Sequence, residues 1–420
     1  MKEKLFINGG KKVRDKEFAY SAPIGEEERK AVDEVLRSKT LSGFYKDFLG
    51  GEKVRGFEKA FAEYTGVKHA ISLNSGTSAL HVALAACGIG PGDEVIVPPY
   101  TFTATATSVL MNNAIPVFAD VERDTLCIDP KKIRDMITKK TKAIMPVHLY
   151  GKIAKIEEIK EIVAGKEIFI IEDACQAPGC VYKGRKTGNL GDIAAFSFVE
   201  TKNMVIGEGG MLTTNDDGIA ERCRLIRNHG EVWVKGKPRQ YLSNMLGFNF
   251  RMLEITAALG IAQLKKLEFL NGIRKKNADF LRRNLGNAGF EGIETIKFEE
   301  GEICHIFPII FDEKKIGITR KKFMDILNSE GIPAVTGYSH PLYRNPIFLE
   351  KIAYGKRGCP YSCPLYGDKI DYTGVRCEIA EDICEKLICI KEVYYPYGTD
   401  DMKDIISSFV KIFSNMDKLK

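Results

Sequence analysis

Asp192-Ile193-Ala194-Ala195-Phe196-Ser197-Phe198-Val199-Glu200-Thr201-Lys202-Asn203-Met204-Val205-Ile206-Gly207-Glu208-Gly209-Gly210 is the stretch on which the fold turns. The apolar run that ends at Ser197 reads as a buried strand, and Lys202 follows in a short connection that closes on the pair Gly209-Gly210. A lysine is thereby held at a strand end. Upstream, the run Ile168–Ile171 ends in Glu172-Asp173-Ala174-Cys175-Gln176, which puts Asp173 just past the carboxyl end of another strand. Open α/β sheets bind their ligands on that side.

A lysine and an aspartate on one rim suit pyridoxal phosphate. The cofactor is bound through a lysine amine, and a carboxylate keeps its pyridine nitrogen protonated so that the ring can draw electrons. A phosphate site is also present. Asn74-Ser75-Gly76-Thr77-Ser78-Ala79-Leu80 follows the strand-like Ala70–Leu73 and opens a helix. Small and hydroxyl residues at a helix N-terminus leave backbone N–H groups free for an anion. Each motif alone is weak; the order phosphate loop, aspartate, lysine is specific.

From Val67 onward strands and helices alternate, the pattern of a mostly parallel sheet. Strands are predicted at 69–73, 94–97, 115–119, 142–147, 168–172, 193–198 and 210–214. Before them come a lysine-rich extended arm over 1–18, a helix over 26–38, a glycine-rich aromatic loop over 41–51 and a helix over 55–64. Past about Lys265 the pattern changes to a long charged helix, short strands such as 304–310, a helix over 320–329 and an amphipathic helix over 400–413. The expected division is an arm and large domain over 1–265 and a smaller α/β domain over 266–420.

Composition narrows the function. The 420 residues allow about two to three domains, and an apolar fraction of 44% is that of a globular chain. A net charge of +6, with basic residues scattered among 56 acidic ones, speaks against a nucleic-acid binder and is compatible with an anionic substrate. No signal-peptide pattern and no bilayer-length apolar run are present, so a cytoplasmic protein is expected. The 11 cysteines are irregularly spaced and read as reduced thiols. Among Cys359, Cys363, Cys377, Cys384 and Cys389 no Cys-x2-Cys pair occurs, and no metal is expected. Gly179–Thr187 approximates a nucleotide-binding P-loop but carries Arg185 where lysine is needed, and Gly88–Gly92 has its third glycine misplaced for a dinucleotide fingerprint. The basic run Lys235–Arg239 reads as an anion contact or as a solvated charge run.

The chain resembles the DegT/DnrJ/EryC1/StrS sugar aminotransferases of the aspartate aminotransferase superfamily, pyridoxal phosphate fold type I. Besides the segments above, the resemblance rests on Pro91–Pro98, Thr101-Phe102, His148-Leu149-Tyr150-Gly151, Gly207–Gly210 and Asn249-Phe250-Arg251-Met252. It implies an enzyme that moves an amino group from L-glutamate or L-glutamine to a keto sugar or keto-cyclitol by ping-pong exchange. Lys202 and Asp173 are then catalytic. Gly76, Thr77, Ser78 and Ser197 hold the phosphate, Phe102 covers the cofactor ring, and Gln176 lies near its oxygen. Asn249 reaches the phosphate in the neighbouring subunit, which implies a homodimer with shared sites, although within one chain it can equally cap the helix after it. His340, Tyr343 and Arg344 match a segment near the substrate. His148 is ambiguous, since a lone histidine beside apolar residues is more often a packing residue. Many relatives carry histidine or glutamine where this chain has Val199, which puts the substrate side in doubt, and a subgroup acting on keto-inositols also lacks that histidine. Two other readings are a dehydratase or lyase on the same fold, against which Lys202 argues, and a non-catalytic regulatory protein, against which the intact set Lys202, Asp173, Ser197 and Asn249 argues.

Overall fold

The structure is a computed structural model that describes residues 3–233 and 239–420. Its centre is a seven-stranded sheet of β1 (His69–Leu73), β2 (Glu94–Val97), β3 (Ile115–Phe118), β4 (Thr141–Ile144), β5 (Phe169–Asp173), β8 (Ile193–Ser197) and β9 (Gly210–Thr214). Between β5 and β8 a small hairpin joins β6 (Val181–Tyr182) to β7 (Arg185–Lys186). That hairpin is what the P-loop-like stretch forms. The strand order is β1-β9-β8-β5-β4-β2-β3, with only β9 running against the others. All seven predicted strands are present, and the strands are apolar almost throughout because helices cover both faces.

The alternation within β8 decides which residue faces what. Ala194, Phe196 and Phe198 join a cluster with Phe57 and Phe61 of α2 (Glu52–Thr65), whereas Ile193 and Ala195 point to the other face and the core that includes Ala79, Leu80 and Ala83 of α3 (Gly76–Ala86). Side chains two apart share a face. Ser197 therefore points toward α3.

A second sheet, β10 (Ile293–Thr295), β11 (Phe307–Phe311), β13 (Leu387–Ile390) and β12 (Val335–Thr336), is antiparallel and has its own core. The helices outside α2 and α3 include α1 (Glu26–Ser38), α4 (Ala104–Met111), α5 (Pro130–Met136), α6 (Ile156–Val163) and α7 (Asp217–Arg227). The 34-residue α8 (Glu254–Asn287) packs on α1 and α2 at one end and runs past the second sheet at the other. Residue 265 falls inside it. Chain from Leu342 to Cys384 also returns to the large core, where Phe118 meets Tyr343, Phe348 and Tyr372 edge-on at 5.7, 5.3 and 5.6 Å. The two lobes are thus laced together by both α8 and this return. Two further helices matter below, α9 (Arg320–Ser329) and α10 (Thr399–Ser414). Among the described residues no helix is long and apolar enough to cross a membrane.

Candidate active site

The N-terminus of α3 is prepared for an anion by its own side chains. Ser75 caps the helix, its Oγ accepting the Ser78 N–H at 3.1 Å, and the Ser78 hydroxyl donates to Asn74 Oδ1 at 2.5 Å. Asn74 is itself pinned, its N–H donating to Phe250 O at 3.0 Å. The N–H groups of Gly76 and Thr77 belong to the first turn, where no intrahelical acceptor exists. Gly76 also lies against the end of β8: a Cβ built there would stand 2.6 Å from Ser197 Cβ and 3.2 Å from Cys175 Sγ. Gly210, opposite Ser197 in the ladder, would put a Cβ 2.2 Å from Ser75 O. The helix end, Ser197 and the glycine pair form one tight cradle.

Asp173 stands at the end of β5, buried, with Oδ2 accepting the Thr105 hydroxyl at 2.8 Å and Oδ1 the Cys175 N–H at 3.2 Å. Thr105 lies in the first turn of α4 and also meets the Thr101 hydroxyl at 3.1 Å. Phe102, between these two threonines, is 56% exposed beside a buried carboxylate. An exposed aromatic ring in that place is free to cover a planar ligand. Gln176 is buried; its Oε1 accepts the Tyr150 N–H at 2.9 Å and its Nε2 donates to Tyr338 Oη at 3.2 Å.

Lys202 sits in the turn after β8, its N–H bonded to Val199 O at 2.9 Å. Burial pushes its amine below the ordinary lysine value; the nearby Cys175 and Asp173 oppose the shift, and the Arg274 guanidinium adds to it. The next residue anchors the turn from behind. Asn203 donates to Asn271 Oδ1 at 3.1 Å and meets His305 Nδ1 at 2.9 Å.

The family model for the DegT/DnrJ/EryC1/StrS aminotransferases matches residues 22–371. The chain belongs to that family. It is a pyridoxal phosphate-dependent aminotransferase. It is 37% identical over 358 residues to the spore coat polysaccharide biosynthesis protein SpsC of Bacillus subtilis, covering 83% of this chain and 89% of that one. The fold matches Helicobacter pylori PseC, an aminotransferase involved in the biosynthesis of pseudoaminic acid, with a TM-score of 0.81 at 29% identity over 95% of this chain and all of that one. It likewise matches NtdA of Bacillus subtilis with bound cofactor PMP, with a TM-score of 0.78 at 27% identity over 95% and 87% of the two chains.

The aminotransferase has the donor set its cofactor needs: an amine, a carboxylate, a hydroxyl and a free helix N-terminus at one end of the sheet. The Gly76 contact distances show a cradle too narrow for any side chain there. His148 has a different task. Its Nδ1 accepts the Ala154 N–H at 3.2 Å, so Nε2 carries the proton that meets Glu172 Oε2 at 2.9 Å. Burial alone would raise the Glu172 carboxyl, but the bonds from His148 and the Gly188 and Gly191 N–H groups outweigh it and hold it below the ordinary carboxylate value. Both are fully buried, so the pair ties the chain after β4 to β5, and the same carboxylate holds the segment after the hairpin through the Gly188, Leu190 and Gly191 N–H groups.

Asn249 is exposed and does not meet Lys202 or Asp173 within the chain; its Oδ1 accepts from Arg251 Nε at 2.8 Å. His340 is exposed and bonded to Asn345 Oδ1 at 3.0 Å, in a segment held to the Phe102 loop by Leu342 N–H to Pro99 O at 2.8 Å. Tyr343 is 0% exposed, and its hydroxyl donates to Glu381 Oε1 at 2.7 Å. Arg344 reaches the same carboxylate at 3.4 Å. Lys235–Pro238 of the basic run lie outside the described residues, and Arg239 is paired with Glu231. Among the described residues no group of three or more His, Cys, Asp or Glu side chains is placed to hold a metal, and all 11 cysteines are free thiols.

Proposed function

We propose that the enzyme transfers the amino group of L-glutamate or L-glutamine to the keto group of a nucleotide-linked sugar or a keto-cyclitol, in the cytoplasm, as a homodimer with shared sites. The observation that carries this reading is the meeting of Lys202, Asp173, Ser197 and the α3 N-terminus at one sheet end. The cofactor, when bound, supplies an electron sink that acidifies the donor's α-carbon. Lys202 Nζ takes the proton from that carbon and returns it on the cofactor side, and its lowered proton affinity leaves more of the free base at neutral pH. Asp173, held by Thr105, is the charge for the pyridine nitrogen. Ser197 and the Gly76 and Thr77 N–H groups take the phosphate, Phe102 covers the ring, and Gln176, with Tyr338, faces the ring oxygen.

Several features support the finer parts. The neighbourhood of Asn249 exposes Tyr241, Leu242, Leu246 and Leu253 at 74, 59, 79 and 52%, an apolar patch of the kind that marks an interface. A second copy seated there would receive Asn249. His340 and Arg344, in a segment held to the Phe102 loop, are the side chains proposed for the acceptor, and Val199 adds no hydrogen-bonding group. The names of two relatives, a spore coat polysaccharide biosynthesis protein and an aminotransferase involved in the biosynthesis of pseudoaminic acid, support a sugar acceptor.

The test is the visible spectrum of the cofactor-loaded protein before and after L-glutamate or L-glutamine, with Lys202→Ala alongside. The yellow lysine-linked band should give way to the pyridoxamine form in the wild type only. A band that ignores every amino acid would sink the transaminase reading in favour of a lyase, and conversion with a donor then allows keto acceptors to be screened.

A further inference from the structure

The turn that carries Lys202 is held by a chain of buried amides whose direction is set at one end. The Pro178 carbonyl, in the loop after β5, can only accept, and it takes the Asn271 Nδ2 donor at 2.9 Å. Asn271, on α8, therefore presents Oδ1 to Asn203, which donates its Nδ2 at 3.1 Å. Asn203 is left with Oδ1, and that oxygen meets His305 Nδ1 at 2.9 Å. The imidazole accordingly carries its proton on Nδ1, with a lone pair on Nε2. Asn203, Asn271 and His305 are all buried. Burial, reinforced by the Lys202, Arg274 and Lys391 charges, holds His305 well below its ordinary proton affinity, so the ring is neutral at neutral pH.

His305 comes from the other lobe, two residues before β11, and its backbone is fixed on both sides. Its N–H donates to Tyr150 O at 2.8 Å, and Arg274 Nη1 donates to its carbonyl at 2.9 Å. The turn that receives it has an uncommon shape. Tyr150, a bulky residue, has φ 55°, and Gly151, with φ 90°, has no room for a Cβ beside Ile303 O. Backbone strain of this kind persists only where the surroundings enforce it, and it gathers at functional sites. Within its own turn Lys202 N–H bonds to Val199 O; Asn203 ties that turn to the loop after β5, to α8 and to the second lobe at once. The second lobe thus delivers one neutral imidazole, fixed in tautomer, to the residue beside Lys202.

We propose that His305 is a positioning residue for Lys202: as the Nδ1–H tautomer it locks Asn203 and so fixes, from the second lobe, where the amine stands. This rests on Lys202 being the lysine that takes the cofactor. Misplacing a reacting group by about 1 Å can cost about a hundredfold in rate. The test compares His305→Leu, which keeps apolar volume, with His305→Asn, whose amide reaches the place of Nδ1 and can donate to Asn203, and His305→Gln, whose amide reaches the place of Nε2. In cofactor-loaded protein, the limiting rate at which L-glutamate or L-glutamine converts the yellow band should fall at least about tenfold in His305→Leu, with the half-saturation changed by less than about threefold. His305→Asn should recover most of that loss and His305→Gln should not. A second readout needs no cofactor. Acetic anhydride labels Lys202 of the apoprotein as its free base, and the pH of half-maximal labelling, read by mass, should rise in His305→Leu as the loosened amine regains water, and return in His305→Asn. A limiting rate within about twofold of wild type or an unchanged labelling profile in His305→Leu overturns the proposal, as does recovery by His305→Gln in place of His305→Asn, which would put the acting atom at Nε2. Should His305→Leu lose its thermal transition, the contrast between His305→Asn and His305→Gln decides. A wild type that no amino acid converts refutes the donor reading alone, and the labelling shift then decides on His305. A yellow band that survives Lys202→Ala refutes the reading of the lysine, and the proposal falls with it.

Discussion

Replacing Gly76 by alanine puts one methyl group into the narrowest part of the cofactor cradle. The new Cβ would lie 2.6 Å from Ser197 Cβ, where carbon atoms settle at about 3.5–4.0 Å. The end of β8 and the first turn of α3 must therefore part by about 1 Å. Gly76 and Ser197 are both phosphate ligands in the proposed site, so this displacement falls on the bonds that hold the cofactor. Overpacking of this kind costs about 1–3 kcal/mol. Transmitted to the cofactor, it weakens binding about 5- to 150-fold. The assay is a titration of apoprotein with pyridoxal phosphate, read by absorbance and by the rise in melting temperature that ligand binding produces. Gly272→Ala is the control, since a Cβ there on α8 meets nothing within 4 Å and should stabilise the helix by up to about 1 kcal/mol with no change in cofactor affinity. Cofactor affinity of Gly76→Ala within twofold of wild type, with the melting temperature lowered, would refute the placement of the phosphate between α3 and Ser197.

Thr105→Val removes the 2.8 Å hydroxyl bond to Asp173, worth about 1.5–3 kcal/mol for a charged acceptor, and should slow conversion of the yellow band by an order of magnitude while the cofactor stays bound. An unchanged rate would free Thr105 of any part in setting the carboxylate. Glu172→Gln should destabilise the protein by about 3 kcal/mol at pH 7, since a buried carboxylate with four donors loses its charge. The Glu172 carboxyl is held below its ordinary value, so its contribution is present above that value and vanishes as pH falls through the lower, folded one. Wild type and variant should accordingly converge in denaturant midpoint on acidification, and a constant gap would contradict an ionised Glu172. Lys202→Ala and Asn249→Ala, each inactive alone, should regain activity when their subunits are mixed after unfolding, because the hybrid carries one intact site. No recovery, with hybrids demonstrated by mass, would assign Asn249 to its own chain.

The sheet and the ends of its strands were legible because their signals are local. Apolar runs, the residue that breaks each run and the hydroxyl-rich helix start all lie within a few positions of one another, and they single out Asp173, Ser197 and Lys202 as candidates. The groups that tune those residues are set by tertiary contact. Thr105 reaches Asp173 across 68 positions, Tyr338 reaches Gln176 across 162, and Arg274 faces Lys202 from another lobe, so no spacing announces them. Tyr343 shows how a short motif hides the direction of each side chain. Its neighbours His340 and Arg344 stay near the surface, and only the register of a short helical turn sends its ring inward. Asn249 could be read as a candidate, but what it touches depends on a surface that one chain leaves bare.

The opening arm is fastened to the far end of the chain. Glu330, fully buried at the end of α9, accepts the N–H groups of Phe6 and Val13 and the ammonium of Lys411, while Arg14 bridges to Asp401 and Asp404 and the Tyr397 hydroxyl holds Ala19 O. Lys411, Asp401 and Asp404 all lie on α10. During synthesis the arm emerges from the ribosome before the central sheet, and its anchors emerge after it. It must remain undocked while the central sheet assembles, and the wall that it lends beside Lys202 is completed only once α10 has been made.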